Sequence, residues 1–136
     1  MLQETVKRCI TIQGAYTPTI VCNERYTLEI RKQLTEINCE SYLIVEPLAR
    51  NTAPAIAIAS FDIMRDDPDG VMLVLPADHV IKKEANFRQC VSHAIEYASK
   101  NYLVTFGIVP NKPETGYGYI KLGEQLENAN LVEEFV

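Results

Sequence analysis

The sequence predicts an α/β fold, a mostly parallel sheet with helices covering both faces. Three observations predict it. Strand-length apolar runs alternate with stretches of helical periodicity along most of the chain, the order that strand-helix repeats with right-handed crossovers produce. The run VMLVL at 71–75 has no polar alternation, the pattern of a central strand covered on both sides. The segment PAIAIASFDIM, 54–64, is apolar nearly all round, as a helix lying between a sheet and another layer must be.

Taken in order, residues 1–8 read as a short helix and QGAYTP (13–18) as a loop by its Gly and Pro. TIVC (19–22) is a strand. Asn23 can cap a helix over 24–37, where Tyr26, Ile30, Leu34 and Ile37 recur at helical spacing. YLIV (42–45) is the next strand and EPLARNTAP (46–54) a loop. A helix follows over 54–65, with Pro54 suited to its first turn. DDPDG (66–70) turns the chain into the run 71–75. Phe87, Cys90, Val91, Ala94, Ile95 and Ala98 form the cleanest helical stripe, and YLVTFGIV (102–109) reads as a strand. Residues 117–122 and 131–136 read as strands joined by an acidic loop.

A chain of 136 residues suits one domain, and 47% apolar with 23% charged residues excludes disordered and fibrous classes. The net charge is -5 and basic residues never exceed pairs such as Lys7-Arg8, so no footprint for a nucleic-acid polymer exists. Cys9, Cys22, Cys39 and Cys90 lie far apart with no C-x-x-C, which reads as reduced thiols in a cytoplasmic protein. No apolar run reaches the roughly 18 residues of a membrane span, and MLQETVKR lacks signal-peptide character.

Three loops fall at the expected carboxyl ends of strands: 46–53, 76–79 and 110–118. In an open α/β sheet that is where a ligand crevice lies. The first leads into a helix whose free N–H groups favour an anion, with Asn51 and Thr52 adding polarity; the plainer reading is that one of them caps that helix. Asp78 can give Mg²⁺ one carboxylate, the rest of the shell being water and substrate phosphate, or it can cap a turn. His79 has no second His or Cys at ligand spacing and reads as a hydrogen-bonded structural residue; His93 reads as a solvated one. Gly116 and Gly118 flank Tyr117, either to let a ligand approach the backbone or to form a turn at positive φ.

The stretches EPLARNTAPAIAIAS (46–60), VLPADHVI (74–81) and VTFGIVPNKPETGYGYI (104–120), with MLQETVKR at the start, resemble the mannose-1-phosphate guanylyltransferases of the sugar-nucleotidyltransferase fold. The resemblance implies a Rossmann-like nucleotidyltransferase domain in which mannose 1-phosphate attacks the α-phosphorus of GTP, giving GDP-mannose and pyrophosphate. It assigns Asp78 to catalysis and to the Mg²⁺ cofactor. Glu46, Asn51, Thr52, Ala53, Pro76 and Ala77 fall to the nucleotide, and Gly116, Tyr117 and Gly118 to the sugar phosphate. Arg50 or Lys112 assists the phosphates or is a plain surface charge.

Members of that family open with a strand and a Gly-rich G-G-x-G-T-R-L loop and continue into a Glu-Lys-Pro segment; neither stands in this sequence. The expectation is therefore a partial domain over 1–136, lacking the family's first central strand and inactive or nearly so by itself. The open slot beside two apolar strand edges is expected to be closed by another chain, in a homo-oligomer or domain-swapped dimer. The alternative is a non-catalytic remnant that binds a nucleotide or sugar phosphate, or an interaction module completed by a partner.

Overall fold

A computed structural model describes residues 1–48 and 50–136; Ala49, inside the loop expected at 46–53, lies outside the described residues. The chain divides into two units, Met1–Glu84 and Ala85–Val136.

In the first unit, helix α1 (Leu2–Ile10) carries Glu4 in its first turn and Lys7 and Arg8 in its last, charges that complement the helix dipole. Its inner side buries Thr5, Val6 and Arg8. Strand β1 (Thr19–Asn23) runs parallel to β2 (Tyr42–Glu46), in register from Thr19 opposite Tyr42 to Asn23 opposite Glu46. The crossover between them is a 3-10 turn (Glu24–Tyr26) and helix α2 (Thr27–Glu36). Asn23 starts it: Oδ1 accepts from the Arg25 N–H at 3.3 Å while Nδ2 donates to the Glu46 carbonyl at 3.3 Å. One side chain thus caps the turn and ties together the carboxyl ends of both strands. Helix α1 packs on α2, with Gln3 Nε2 donating to the Gln33 carbonyl at 2.8 Å and to Glu36 at 2.9 Å. Val6, Cys22, Leu34 and Ala59 form the buried apolar centre, the last from helix α3 (Thr52–Asp66).

Helix α4 (Glu84–Ala98) starts at the last residue of the first unit and otherwise belongs to the second, which also holds the antiparallel hairpin of β3 (Ile120–Gln125) and β4 (Asn130–Phe135). Val91 on α4 is buried at 1% exposure. Tyr97 meets Tyr102 edge to face at 6.1 Å, and its hydroxyl accepts from the Asn128 N–H at 3.4 Å. The hairpin register shifts on either side of Leu122, and Gly123 sits in the irregular part. A side chain at Gly123 would meet the Leu131 carbonyl at 3.2 Å, so glycine suits this close approach.

The elements expected from periodicity are present, but four readings need correction. Residues 71–75 form no ladder with any described residue, and Val71 and Val74 are exposed, so this run is not a central strand covered on both faces. Residues 102–109 likewise form no ladder among the described residues and are exposed throughout. A strand exists only through its neighbour's N–H and C=O groups, and apolar β-formers cannot supply those for themselves. Helix α3 is not sandwiched: only Ala59 is buried, and Ile58, Phe61 and Met64 face outward. His93 is half-buried rather than solvated. Among the described residues the parallel sheet is therefore the pair β1-β2 of the first unit, and the second unit holds a separate antiparallel hairpin. Among the described residues no helix is long and apolar enough to cross a membrane.

Candidate functional site

Residues 76–79 leave the apolar run as a turn, and Pro76, Ala77, Asp78 and His79 are all exposed. Their backbone is nevertheless held from within. Thr5 Oγ1 donates to the Ala77 carbonyl at 3.5 Å, and Arg8 Nη2 donates to the His79 carbonyl at 3.3 Å. The two donors are joined, Arg8 Nη2 to Thr5 Oγ1 at 3.0 Å, and both are buried, Thr5 at 6% and Arg8 at 4% exposure. The carbonyls on either side of Asp78 are thus engaged, while its carboxylate stands in solvent with no ion pair among the described residues. The capping reading of Asp78 gains no hydrogen bond, and His79 is not the hydrogen-bonded structural side chain expected: its ring is exposed, and it is its backbone carbonyl that accepts from Arg8.

Glu46 closes β2, half-buried, with its carbonyl taken by Asn23. Asn51 sits at the N-cap of α3 with φ +65°, outside the usual range for a side-chain-bearing residue, and its side chain makes no capping bond. Thr52 is the first helical residue, and Asn51, Thr52 and Ala53 are exposed. The first-turn N–H groups of α3 therefore have no Asn51 cap, which removes the plainer reading for that residue. Arg50 is exposed.

Residues 110–118 belong to the second unit. The Tyr119 hydroxyl accepts from the Glu114 N–H at 2.7 Å and donates to the Glu114 carbonyl at 3.2 Å, pinning the loop to its own exit. Tyr117 is 77% exposed beside the exposed Gly116 and Gly118. Gly116 lies in a turn with Thr115, but neither glycine has positive φ, so the expected positive-φ form of that turn is not what is found. A Cβ on Gly118 would lie 3.4 Å from the Val136 carbonyl, so the backbone it approaches is the chain's own. Lys112 pairs with Glu114 at 2.6 Å on the surface. That pairing favours the surface-charge reading of Lys112.

Two surface concavities stand out. One, about 770 Å³, is lined within this loop by Pro110, Lys112, Tyr117 and Tyr119. The other, about 490 Å³, is lined by Thr17, Arg31, Cys39 and Tyr42. It opens where β1 and β2 begin, the opposite end from that at which parallel sheets bind ligands, and holds none of the candidate residues. No group of three or more His, Cys, Asp or Glu side chains converges among the described residues. All four cysteines are free thiols; burial raises the Cys9 pKa, and the neighbouring Arg8 partly opposes that rise.

Sequence reasoning missed Thr5 and Arg8. The available signal was a polar pair at i, i+3 bracketing Val6 on the inner side of a helix, a place where an unpartnered guanidinium could not stay.

A family model described as Nucleotidyl transferase matches residues 1–136. The chain is 49% identical over 140 residues to a Salmonella typhimurium protein described as mannose-1-phosphate guanylyltransferase RfbM, covering 100% of this chain and 29% of that protein. It is 47% identical over 124 residues to an Escherichia coli mannose-1-phosphate guanylyltransferase, covering 90% and 26%. It is 45% identical over 137 residues to the xanthan biosynthesis protein XanB of Xanthomonas campestris, covering 100% and 29%. The chain thus spans less than a third of the length of these curated relatives. No solved structure gives a significant match.

Proposed function

The chain belongs to the nucleotidyl transferase family, and we propose that residues 1–136 form part of one domain that makes GDP-mannose and pyrophosphate from GTP and mannose 1-phosphate. The observation that carries this reading is the presentation of Asp78, an exposed carboxylate in a turn whose backbone is fixed on both sides. Transfer of a nucleotidyl group asks the protein mainly for positioning and charge neutralisation. A phosphate oxygen of mannose 1-phosphate bonds to the α-phosphorus of GTP, and the bond to the β-phosphate breaks, releasing pyrophosphate.

The donor set fits Mg²⁺. One exposed carboxylate with no protein cation on it is what that ion takes when water and substrate phosphates complete its shell, and a multi-carboxylate cage is not required. When bound, Mg²⁺ neutralises charge on the triphosphate. In this reading Asp78 holds the ion, while Pro76 and Ala77 line the nucleotide from the same turn. The start of α3 contributes Asn51, Thr52 and Ala53 with open N–H groups, and Glu46 stands at the end of β2. Gly116, Tyr117 and Gly118 take the sugar phosphate. The four free thiols suit a reducing cytoplasm.

The test is a chimera in which this chain replaces the matching segment of the Salmonella typhimurium relative. GDP-mannose formation is expected, and Asp78→Asn in the chimera should lower kcat by about 10² or more. A folded chimera without turnover, or one indifferent to Asp78→Asn, would contradict the proposal.

Self-association belongs to the same reading. β1 and β2 each keep one edge without a partner, and residues 71–75 have none, among the described residues. Such edges recruit strands. Light scattering should give an oligomer, with 71–75 protected from hydrogen exchange; a monomer with that run unprotected would refute it.

A further inference from the structure

We propose that Thr5 and Arg8 are positioning residues for Asp78: a two-donor clamp from α1 that fixes the turn and so sets the cation affinity of its carboxylate. The inference rests on the reading of Asp78 given above and deepens it.

The geometry is specific in three ways. The accepting groups are the carbonyls of Ala77 and His79, so the peptide plane that enters Asp78 and the one that leaves His79 are both held, and the Asp78–His79 segment is fixed at its two ends. The donors are mutually bonded at 3.0 Å, so neither side chain can swing away without breaking the other's contact. Both are buried on a helix that Gln3 also ties to α2, so the clamp is mounted on the packed part of the unit rather than on a free loop. Between the held carbonyls the Asp78 carboxylate is left in solvent beside the exposed His79 side chain.

A single carboxylate on a mobile turn must be immobilised when a cation binds, and that entropy is subtracted from affinity; a turn already held avoids most of the loss. Groups that orient a metal ligand without touching the metal typically contribute 10- to 100-fold in affinity. Arg8 suits the task better than Lys would, because its planar fork can serve the Thr5 hydroxyl and the His79 carbonyl from one nitrogen with its direction fixed. Thr5 is both acceptor from Arg8 and donor to Ala77, so its hydroxyl is the joint of the clamp.

Four variants of this chain test it: Thr5→Val, which keeps the shape and removes the hydroxyl; Thr5→Ser, which restores the hydroxyl; Arg8→Lys; and Asp78→Asn. The probe is Mn²⁺ alone, a hard cation suited to carboxylate and water ligands. It is followed by paramagnetic broadening of backbone amides, with hydrogen exchange at 77–80 measured separately in metal-free samples. Thr5→Val and Arg8→Lys should speed exchange at 77–80 by about tenfold relative to the amides of β1 and weaken Mn²⁺ by about 10- to 100-fold, and Thr5→Ser should return both to the parent values. Asp78→Asn should abolish Mn²⁺ binding while leaving exchange at 77–80 slow. The clamp is refuted if Thr5→Val and Arg8→Lys bind Mn²⁺ like the parent while Asp78→Asn does not. It is refuted equally if Thr5→Ser behaves like Thr5→Val, or if exchange rises uniformly through the unit. Should Asp78→Asn bind Mn²⁺ like the parent, the assignment of Asp78 fails, and the metal-free exchange data still decide whether the clamp exists.

Discussion

The turn at 76–79 and the loop at 110–118 are held in opposite ways. The first is tethered by side chains 71 and 72 residues away in sequence, donated from a buried helix. The second is tethered by Tyr119, five residues beyond the Glu114 it grips. A distant tether exists only while the helix that carries it is docked, whereas a local one survives loosening elsewhere. Order at Asp78 is therefore a property of the unit's packing, and order at Tyr117 is a property of its own loop.

The strongest way to break that contrast is to loosen the support of α1 without touching the clamp. Leu34 is buried on α2, the helix that α1 packs against. Leu34→Ala should cost about 2–5 kcal/mol in urea denaturation of the first unit. Exchange should rise at 77–80 and stay unchanged at 112–118; a rise in both segments would show that the tethers are not independent. The reverse cut is smaller. Tyr119→Phe removes the hydroxyl that bonds both backbone groups of Glu114, at about 0.5–1.5 kcal/mol for a hydrogen bond of this kind. Exchange should rise at 112–118 alone, and an unchanged loop would mean that the hydroxyl does not pin it.

The smallest effect sharpens the picture at the clamp's own helix. Burial raises the pKa of the Cys9 thiol, with Arg8 opposing, so the thiolate is disfavoured in the folded chain. Alkylation of Cys9 should therefore reach half its maximal rate at a higher pH in the folded chain than in urea. The linked stability has a definite sign. Because the folded value lies above the unfolded one, the contribution is complete below the ordinary thiol range and is lost as pH climbs through the raised value. A Cys9 profile identical in folded and unfolded chains would mean that this side of α1 is not packed.

How much of this was legible in the sequence follows the same division between local and distant causes. Helices α1 to α4 and the strands β1 and β2 could be read because their apolar spacing is a local property, and the Asn23 cap could be read because its acceptor serves an N–H two residues on. The runs 71–75 and 102–109 were misread although they are more apolar than β1, since a ladder needs a second chain segment that composition does not reveal. At the candidate site, Asp78 was legible as an acidic residue following an apolar run. The clamp that holds it was not, because Thr5 and Arg8 meet it only through the packing of α1. The φ of +65° at Asn51, which leaves α3 without a side-chain cap, was equally invisible, since Asn serves caps and left-handed positions alike.

The most direct test of the central claim is diffraction from crystals of this chain grown with Mn²⁺, using the metal's anomalous signal to locate it. The account predicts a peak within coordination distance of an Asp78 carboxylate oxygen, with the Ala77 and His79 carbonyls still accepting from Thr5 and Arg8. A peak confined to other carboxylates, or an Asp78 side chain turned inward with those two carbonyls released, would contradict it.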